Sequence, residues 1–254
     1  MTIIPNIVYN PSHGERGLGD LYLPGHCDQH TPIALSIHGG GWSSMDKSSF
    51  AGVAQFLCEL GFATYNTHYR LCGAAPWPAC GDDCLQAARF ILDGAHDAIK
   101  PLDRRQIVLI GASAGGHLAL MTGLRLPASR VRAVISISGV ADPGPDAAAF
   151  PGRYRALFGR DTTQADLDSI SPIPLLRPDS PRLLLTHCHH DTIVPIASAT
   201  HFINAAKQVG APAESYFYER WNDGHCIWIP GSNPHKLHPD IEEAIQHFLL
   251  GRVK

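Results

Sequence analysis

Ser113 lies in Gly111-Ala112-Ser113-Ala114-Gly115, a G-x-S-x-G pattern. A serine hydroxyl is a weak nucleophile until a neighbouring base takes its proton and a tight turn lifts it clear of the chain. The apolar run Gln106 to Ile110 ahead of it reads as a buried strand. Leu118, Leu120, Met121 and Leu124 behind it read as a helix, which places Ser113 in a strand-to-helix turn. Glycines two residues away on either side remove side chains that would collide with neighbouring elements. The helix N-terminus favours negative charge developing beside the hydroxyl. A plain glycine-rich turn would carry the same five residues, so the pattern gains meaning only from its partners.

One partner lies upstream. His38-Gly39-Gly40-Gly41-Trp42 ends the apolar run Ile33 to Ile37. Three successive glycines let backbone N–H groups turn toward a ligand without Cβ obstruction. Donors fixed in advance stabilise the oxyanion of a tetrahedral intermediate, and losing one costs roughly 10²–10³ in rate. The amides of Gly40, Gly41 and Ala114 are the expected donors. A phosphate cradle is the rival use of such a loop, but no GKS or GxGxxG completion follows.

The elements that must hold these groups alternate short apolar runs with amphipathic stretches, the sign of a mostly parallel sheet flanked by helices. Expected helices run over Asp46 to Leu60, Asp82 to Ala98, Ala114 to Leu126, Ile196 to Val209 and Pro239 to Leu250. Expected strands are Ile33 to Ile37, Phe62 to His68, Gln106 to Ile110, Val131 to Ser138, Arg182 to His187 and Ala213 to Glu219. Between the fourth and fifth of these strands, residues 141–181 carry seven prolines and no strand pattern. This segment reads as a short lid-like insertion in a single domain spanning residues 1–254, with Phe150, Tyr154, Leu157 and Phe158 as its apolar members.

His38 to Trp42, Tyr69-Arg70-Leu71, Pro76-Trp77-Pro78-Ala79 and Gly111 to Gly116 together resemble the hormone-sensitive-lipase-type esterases. The compact feruloyl esterase-like and arylformamidase-like hydrolases are more similar still, and Asp20-Leu21-Tyr22-Leu23-Pro24 resembles their opening. The resemblance implies an α/β-hydrolase fold from about Asp20 to Phe248. The stretch before the first strand, expected near Asp20, is too short for the helical N-terminal cap of larger lipase-like enzymes.

In that fold the triad runs Ser, acid, His along the chain. Asp191, in His190-Asp191-Thr192-Ile193-Val194-Pro195, resembles the family's D-x-x-V-P acid loop, and its role would be to hold the base's tautomer. A helix-capping aspartate is its bland reading. His225, after the strand Ala213 to Glu219, can reach the serine across the C-terminal edge of the sheet. Fifteen histidines make any single one more often surface or core than catalytic, and chain order selects His225 over His235 and His238. Asp223 is the rival acid. His117 matches the family's G-x-S-A-G-[GA]-H and is expected to pack near the elbow.

The expected function is a serine carboxylesterase acting on small to medium esters through an acyl-enzyme. It would need no cofactor and no metal, since neighbours on a strand such as His187-Cys188-His189-His190 cannot converge on one ion. An arylformamidase-type amide hydrolase is the alternative, and a non-catalytic hydrolase-fold binding protein the next. Seven scattered cysteines without a CxxC pair read as mostly reduced, with room for a Cys72–Cys80 or Cys80–Cys84 bridge. A formal charge of −3 gives no electrostatic reason to expect nucleic acid or an anionic membrane as partner. No leader pattern opens the chain and no run is long enough to span a bilayer, so a cytoplasmic protein is expected, and a homo-oligomer is compatible.

Overall fold

The runs that lead into the glycine loop and into Ser113 form the parallel strands β3 (Pro32–Ile37) and β5 (Asp103–Ala112), paired Ile33 to Ile107 through Ile37 to Gly111. Their alternation sorts side chains to two faces. Ile33, Leu35, Ile37, Ile107 and Leu109 join one core, while Ala34, Val108, Ile110 and Ala112 join the other. This is a computed structural model describing residues 1–219, 225, 228, 229 and 231–251. Among the described residues one sheet has the order β1-β2-β4-β3-β5-β6-β7-β8. The remaining strands are β1 (Thr2–Val8), β2 (Leu18–Leu23), β4 (Ala63–Thr67), β6 (Val131–Ile137), β7 (Arg182–Cys188) and β8 (Ala213–Tyr218). All pairs from β4 to β8 are parallel, as expected, and β1 and β2 add antiparallel pairs.

Helices α1 (Ala51–Glu59) and α8 (Pro239–Leu250) cover one face. Helices α2 (Ala79–Asp93), α3 (Ala114–Arg125) and α7 (Ile196–Val209) cover the other. The proline-rich insertion forms three short helices, α4 (Pro143–Ala149), α5 (Pro151–Phe158) and α6 (Gln164–Ile170). Tyr154, Leu157 and Ile170 from these helices are wholly buried against the α2/α3/α7 face. Among the described residues no helix is long and apolar enough to cross a membrane.

Three boundaries differ from the sequence reading. The first strand is Thr2–Val8, not one near Asp20. It is an edge strand with only Ile7 buried and Pro5 within it, so it shows no alternation to read. Helix α2 starts at Ala79 and stops at Asp93, because Gly94 takes the left-handed conformation (φ 64°) and its N–H caps the Phe90 and Ile91 carbonyls. Asp46 caps a 3₁₀ turn (Lys47–Phe50) that precedes α1, accepting from the Ser48 N–H.

Two histidines are enclosed where α3 meets the glycine loop. The His38 ring donates from Nδ1 to the Gly39 carbonyl at 2.8 Å and stacks on Tyr69 at 4.2 Å. His117 accepts the Trp42 indole N–H on Nδ1 (3.3 Å) and donates from Nε2 to the Ile170 carbonyl (2.8 Å). Burial lowers His38 to about 3 and His117 to about 4, so both rings are neutral in the folded protein near neutrality. In the unfolded chain each titrates near 6.5 and binds the extra proton first, so stability falls as pH drops from that value toward the folded ones. Urea unfolding should therefore show roughly 2–4 kcal/mol less stability at pH 5 than at pH 7. His117→Phe should flatten that slope, and a stability unchanged or rising toward pH 5 would contradict the assignment.

Candidate active site

Ser113 occupies the turn between β5 and α3 with φ 54° and ψ −123°, a left-handed conformation that a residue with a Cβ adopts only under constraint. Its N–H is held by the Ile137 carbonyl of β6 at 2.8 Å. The flanking glycines are forced by close approach. A Cβ on Gly111 would lie 2.1 Å from the Gly115 carbonyl oxygen, and one on Gly115 would lie 2.2 Å from that of Ile37. Ala114 opens α3, so its amide belongs to the first turn, which has no intrahelical acceptor.

The glycine loop turns back under the elbow. Gly40 and Gly41 have φ of 100° and 57°, and a Cβ on Gly40 would meet the Ser44 carbonyl oxygen at 2.3 Å. The Gly40 carbonyl is spent on the N–H groups of Ser43 and Ser44 and on the Ser44 hydroxyl, which fixes its peptide plane. Tyr69, fully buried, donates its hydroxyl to the His38 and Gly39 carbonyls at 3.1 and 3.0 Å. Arg70 beside it grips the buried Asp83 carboxylate with Nε and Nη2, and its own N–H reaches the same carboxylate at 2.8 Å. Trp42, also fully buried, closes the loop against His117 and Tyr154. The Tyr69-Arg70 and His38-to-Trp42 motifs are thus parts of one brace.

Asp191 follows β7, its carboxylate wholly out of solvent. One oxygen accepts the N–H groups of Ile193 and Val194, both at 2.8 Å. The other accepts His225 Nδ1 at 2.8 Å and lies 3.3 Å from His187 Nε2, whose main acceptor is the Val194 carbonyl at 2.9 Å. Burial alone would raise this carboxyl. The hydrogen bonds from His187 and His225, the His225 charge and the Val194 amide outweigh it and hold the group well below the usual carboxylate range. Asp191 therefore stays ionised and fixes the Nδ1–H tautomer of His225, leaving Nε2 free to act as base. His187, unassigned in the sequence reading, is a second support of this carboxylate. The rival acid Asp223 lies outside the described residues, as does Cys226.

Ser113, His225 and Gly39 to Gly41 line one cavity of about 350 Å³. Its walls are Met45, Phe50, Ile193 and Trp228, with Ser49, His235 and Arg153 as further polar members. The sequence reading missed most of this wall. Met45 to Phe50 follow the glycine loop directly, and Trp228 to His235 follow His225, so proximity to the site motifs was the available signal. The insertion, expected as a lid whose apolar members are Phe150, Tyr154, Leu157 and Phe158, contributes Arg153 alone to the cavity lining among the described residues. Its apolar members are spent on the core or, for Phe150, lie under the Arg153 guanidinium. A larger concavity of about 530 Å³ lies at the opposite ends of the strands, between Arg104, Arg105 and Arg130, with no nucleophile and base facing each other. His187 and Cys188 are buried while His189 and His190 are exposed, and among the described residues no group of three metal-binding side chains converges. Cys27, Cys58, Cys72, Cys80, Cys84 and Cys188 are free.

Residues 19–205 match the BD-FAE family. The versiconal hemiacetal acetate esterase stcI of Emericella nidulans is 34% identical over 134 residues, covering 50% of this chain and 43% of that protein. The probable carboxylic ester hydrolase LipM of Mycobacterium tuberculosis is 27% identical over 198 residues, covering 70% and 45%. This chain spans less than half the length of these curated relatives. A truncated carbohydrate esterase from gut microbiota superposes with a TM-score of 0.83 at 22% identity, over 98% of this chain and 95% of that one. The esterase Est2 of Thermogutta terrifontis, solved with butyrate, gives 0.76 at 23% identity, over 96% and 92%. The sheet, the elbow and the family match across most of its length make this chain an α/β-hydrolase that belongs to the esterase-like BD-FAE family.

Proposed function

We propose that the chain is a serine carboxylesterase acting on small to medium esters. The observation that carries this reading is the 2.8 Å bond between His225 Nδ1 and an enclosed, ionised Asp191, with His225 facing the cavity that holds Ser113 and the glycine loop. Membership of an esterase-like family and the ester-hydrolase names of two relatives support it.

In the first half-reaction His225 Nε2 takes the Ser113 proton as Oγ attacks the ester carbonyl carbon. The tetrahedral oxyanion is held by the amides of Gly40, Gly41 and Ala114. Collapse expels the alcohol, which receives the proton from His225, and leaves the acyl group on Ser113. Water then attacks the acyl carbon, giving up a proton to His225, which passes it to Ser113 Oγ as the intermediate collapses and the acid leaves. Asp191 stabilises the imidazolium in both halves without taking a proton itself.

A fluorophosphonate should label Ser113 alone, and Ser113→Ala should lower kcat by roughly 10⁴–10⁶. Labelling of another serine, or full activity of that variant, overturns the nucleophile. Asp191→Asn should cost about 10⁴ in kcat, since the wrong His225 tautomer is then favoured. Asp223→Asn should change kcat little, and the reverse ranking would move the acid to Asp223.

A cavity of about 350 Å³ lies at the small end of ligand sites, and each buried methylene contributes up to ~0.8 kcal/mol only while walls enclose it. Among p-nitrophenyl esters, kcat/KM should peak at acyl chains of about two to six carbons. A maximum at ten or more carbons with activation at an oil–water interface would identify a lipase instead. N-formylkynurenine belongs in the same panel, and its turnover in place of esters would establish the arylformamidase-type reading.

A further inference from the structure

Arg153 is the one lysine or arginine among the described residues lining the cavity, and it is held from three sides. Its Nη1 bonds both oxygens of Asp146, at 2.7 and 2.8 Å, and its Nη2 donates to the Ile193 carbonyl at 3.1 Å. The guanidinium carbon sits 4.7 Å from the centre of the Phe150 ring. Asp146 is completely enclosed behind it and also accepts the Tyr154 hydroxyl at 2.8 Å.

Covering an apolar pocket does not require this arrangement. Burying a carboxylate and holding an arginine against it costs desolvation that a pair of aliphatic side chains would avoid. What the pair does achieve is placement: a guanidinium held in orientation at a cavity whose apolar wall is Met45, Phe50, Ile193 and Trp228. Five N–H donors are available on an arginine, and the bonds above use those of Nη1 and one of Nη2. Among the described residues nothing accepts from Nε. The nearby carboxylates do not compete for an incoming anion's place. Asp146 lies behind the guanidinium, and both oxygens of Asp191 are already bonded to donors.

We propose that Arg153 is a specificity-determining residue that selects esters bearing a carboxylate on one arm, the other arm lying along the Phe50–Trp228 wall. The proposal rests on the serine-esterase reading above and adds the chemical class of its substrate. A fixed fork recognises a carboxylate better than a neutral group of the same shape, because the charge-assisted bond is formed without ordering the arginine first.

Two matched pairs test it and separate the two arms. 4-Acetoxybenzoate against 4-acetoxybenzamide places the charge on the leaving alcohol. The mono-4-nitrophenyl ester of glutaric acid against its terminal amide places the charge on the acyl group. In at least one pair kcat/KM should favour the carboxylate by about tenfold, the size expected of a hydrogen bond to a charged group. The favoured pair identifies the arm. That ratio should fall toward one in Arg153→Gln combined with Asp146→Asn, which removes the guanidinium without leaving a buried charge unpaired. Arg153→Lys, which keeps the charge and loses the fork, should retain only part of it. Competitive inhibition of the unaltered protein by benzoate against benzamide, and by glutarate monoamide against glutaramide, needs no variant at all. Ratios near one in both pairs and in both inhibition series would overturn the proposal, as would a carboxylate preference untouched in the double variant. Ester turnover that survives Ser113→Ala would instead remove the underlying esterase reading.

Discussion

The site depends on a close crossing of backbones between the end of β3 and the first turn of α3. Gly115 presses against the Ile37 and His38 carbonyls so tightly that a Cβ would lie 2.2 and 2.4 Å from their oxygens. Gly39 in turn sits where its Cβ would lie 2.9 Å from the Ala112 carbonyl oxygen. This contact brings the glycine loop, the serine and the helix N-terminus into one small volume. Without it the amides of Gly40 and Gly41 would not share a cavity with the Ser113 hydroxyl. The strain at Ser113, φ 54°, persists because β6 pins the Ser113 N–H on one side and α3 begins at once on the other. Preorganised amides are valuable in catalysis because they need not reorient when charge develops, and here that rigidity comes from main-chain packing.

Around this crossing two enclosed, neutral imidazoles act as struts. His38 and His117 are uncharged and bond to carbonyls, joining the glycine loop to α3 and, through Ile170, to the insertion. Asp191, by contrast, is ionised with no solvent contact, and it is saturated with donors: two backbone amides and two imidazoles. Such saturation keeps a buried carboxylate charged and stationary. Placement of His225 then follows from a single well-directed bond, since His225 itself stands on a loop beyond β8 rather than on a regular element.

The fold and the candidate groups were legible because their physics is local. The apolar runs Ile33 to Ile37 and Gln106 to Ile110 mark burial on both faces, and Gly39, Gly40, Gly111 and Gly115 mark positions where a Cβ would collide. β1 was illegible for the opposite reason, since an edge strand with one buried residue needs no pattern. Asp83 shows a subtler failure. Placed by the sequence at the start of the helix expected over Asp82 to Ala98, it sits inside α2 as the buried partner of Arg70, and only the fold brings residues thirteen positions apart into that bond. The support that His187 gives Asp191 was hidden likewise, in a histidine cluster whose strand spacing argued only against a metal. Pocket walls were the least legible of all. Met45, Phe50, Trp228 and His235 have no motif of their own, and their place is set by where loops leave the C-terminal edge of the sheet.

That division has a physical consequence for how the site can vary. Ser113 and the glycine loop are fixed by close main-chain contacts, and Asp191 by buried hydrogen bonds. Of the wall residues, Met45 and Ile193 lie outside regular elements and are partly exposed, at 56% and 42%. Substituting an exposed wall residue changes contact with a ligand at little cost to the fold, whereas substituting a brace residue such as Tyr69 or Trp42 disturbs the core itself. Arg153 belongs to neither group. It reaches the cavity from α5, but it is anchored by a fully buried Asp146 within the insertion, so its position is as fixed as the brace. The insertion thus acts less as a flap over the pocket than as a rigid mount, with Tyr154 and Leu157 sunk in the core and one guanidinium presented to the cavity.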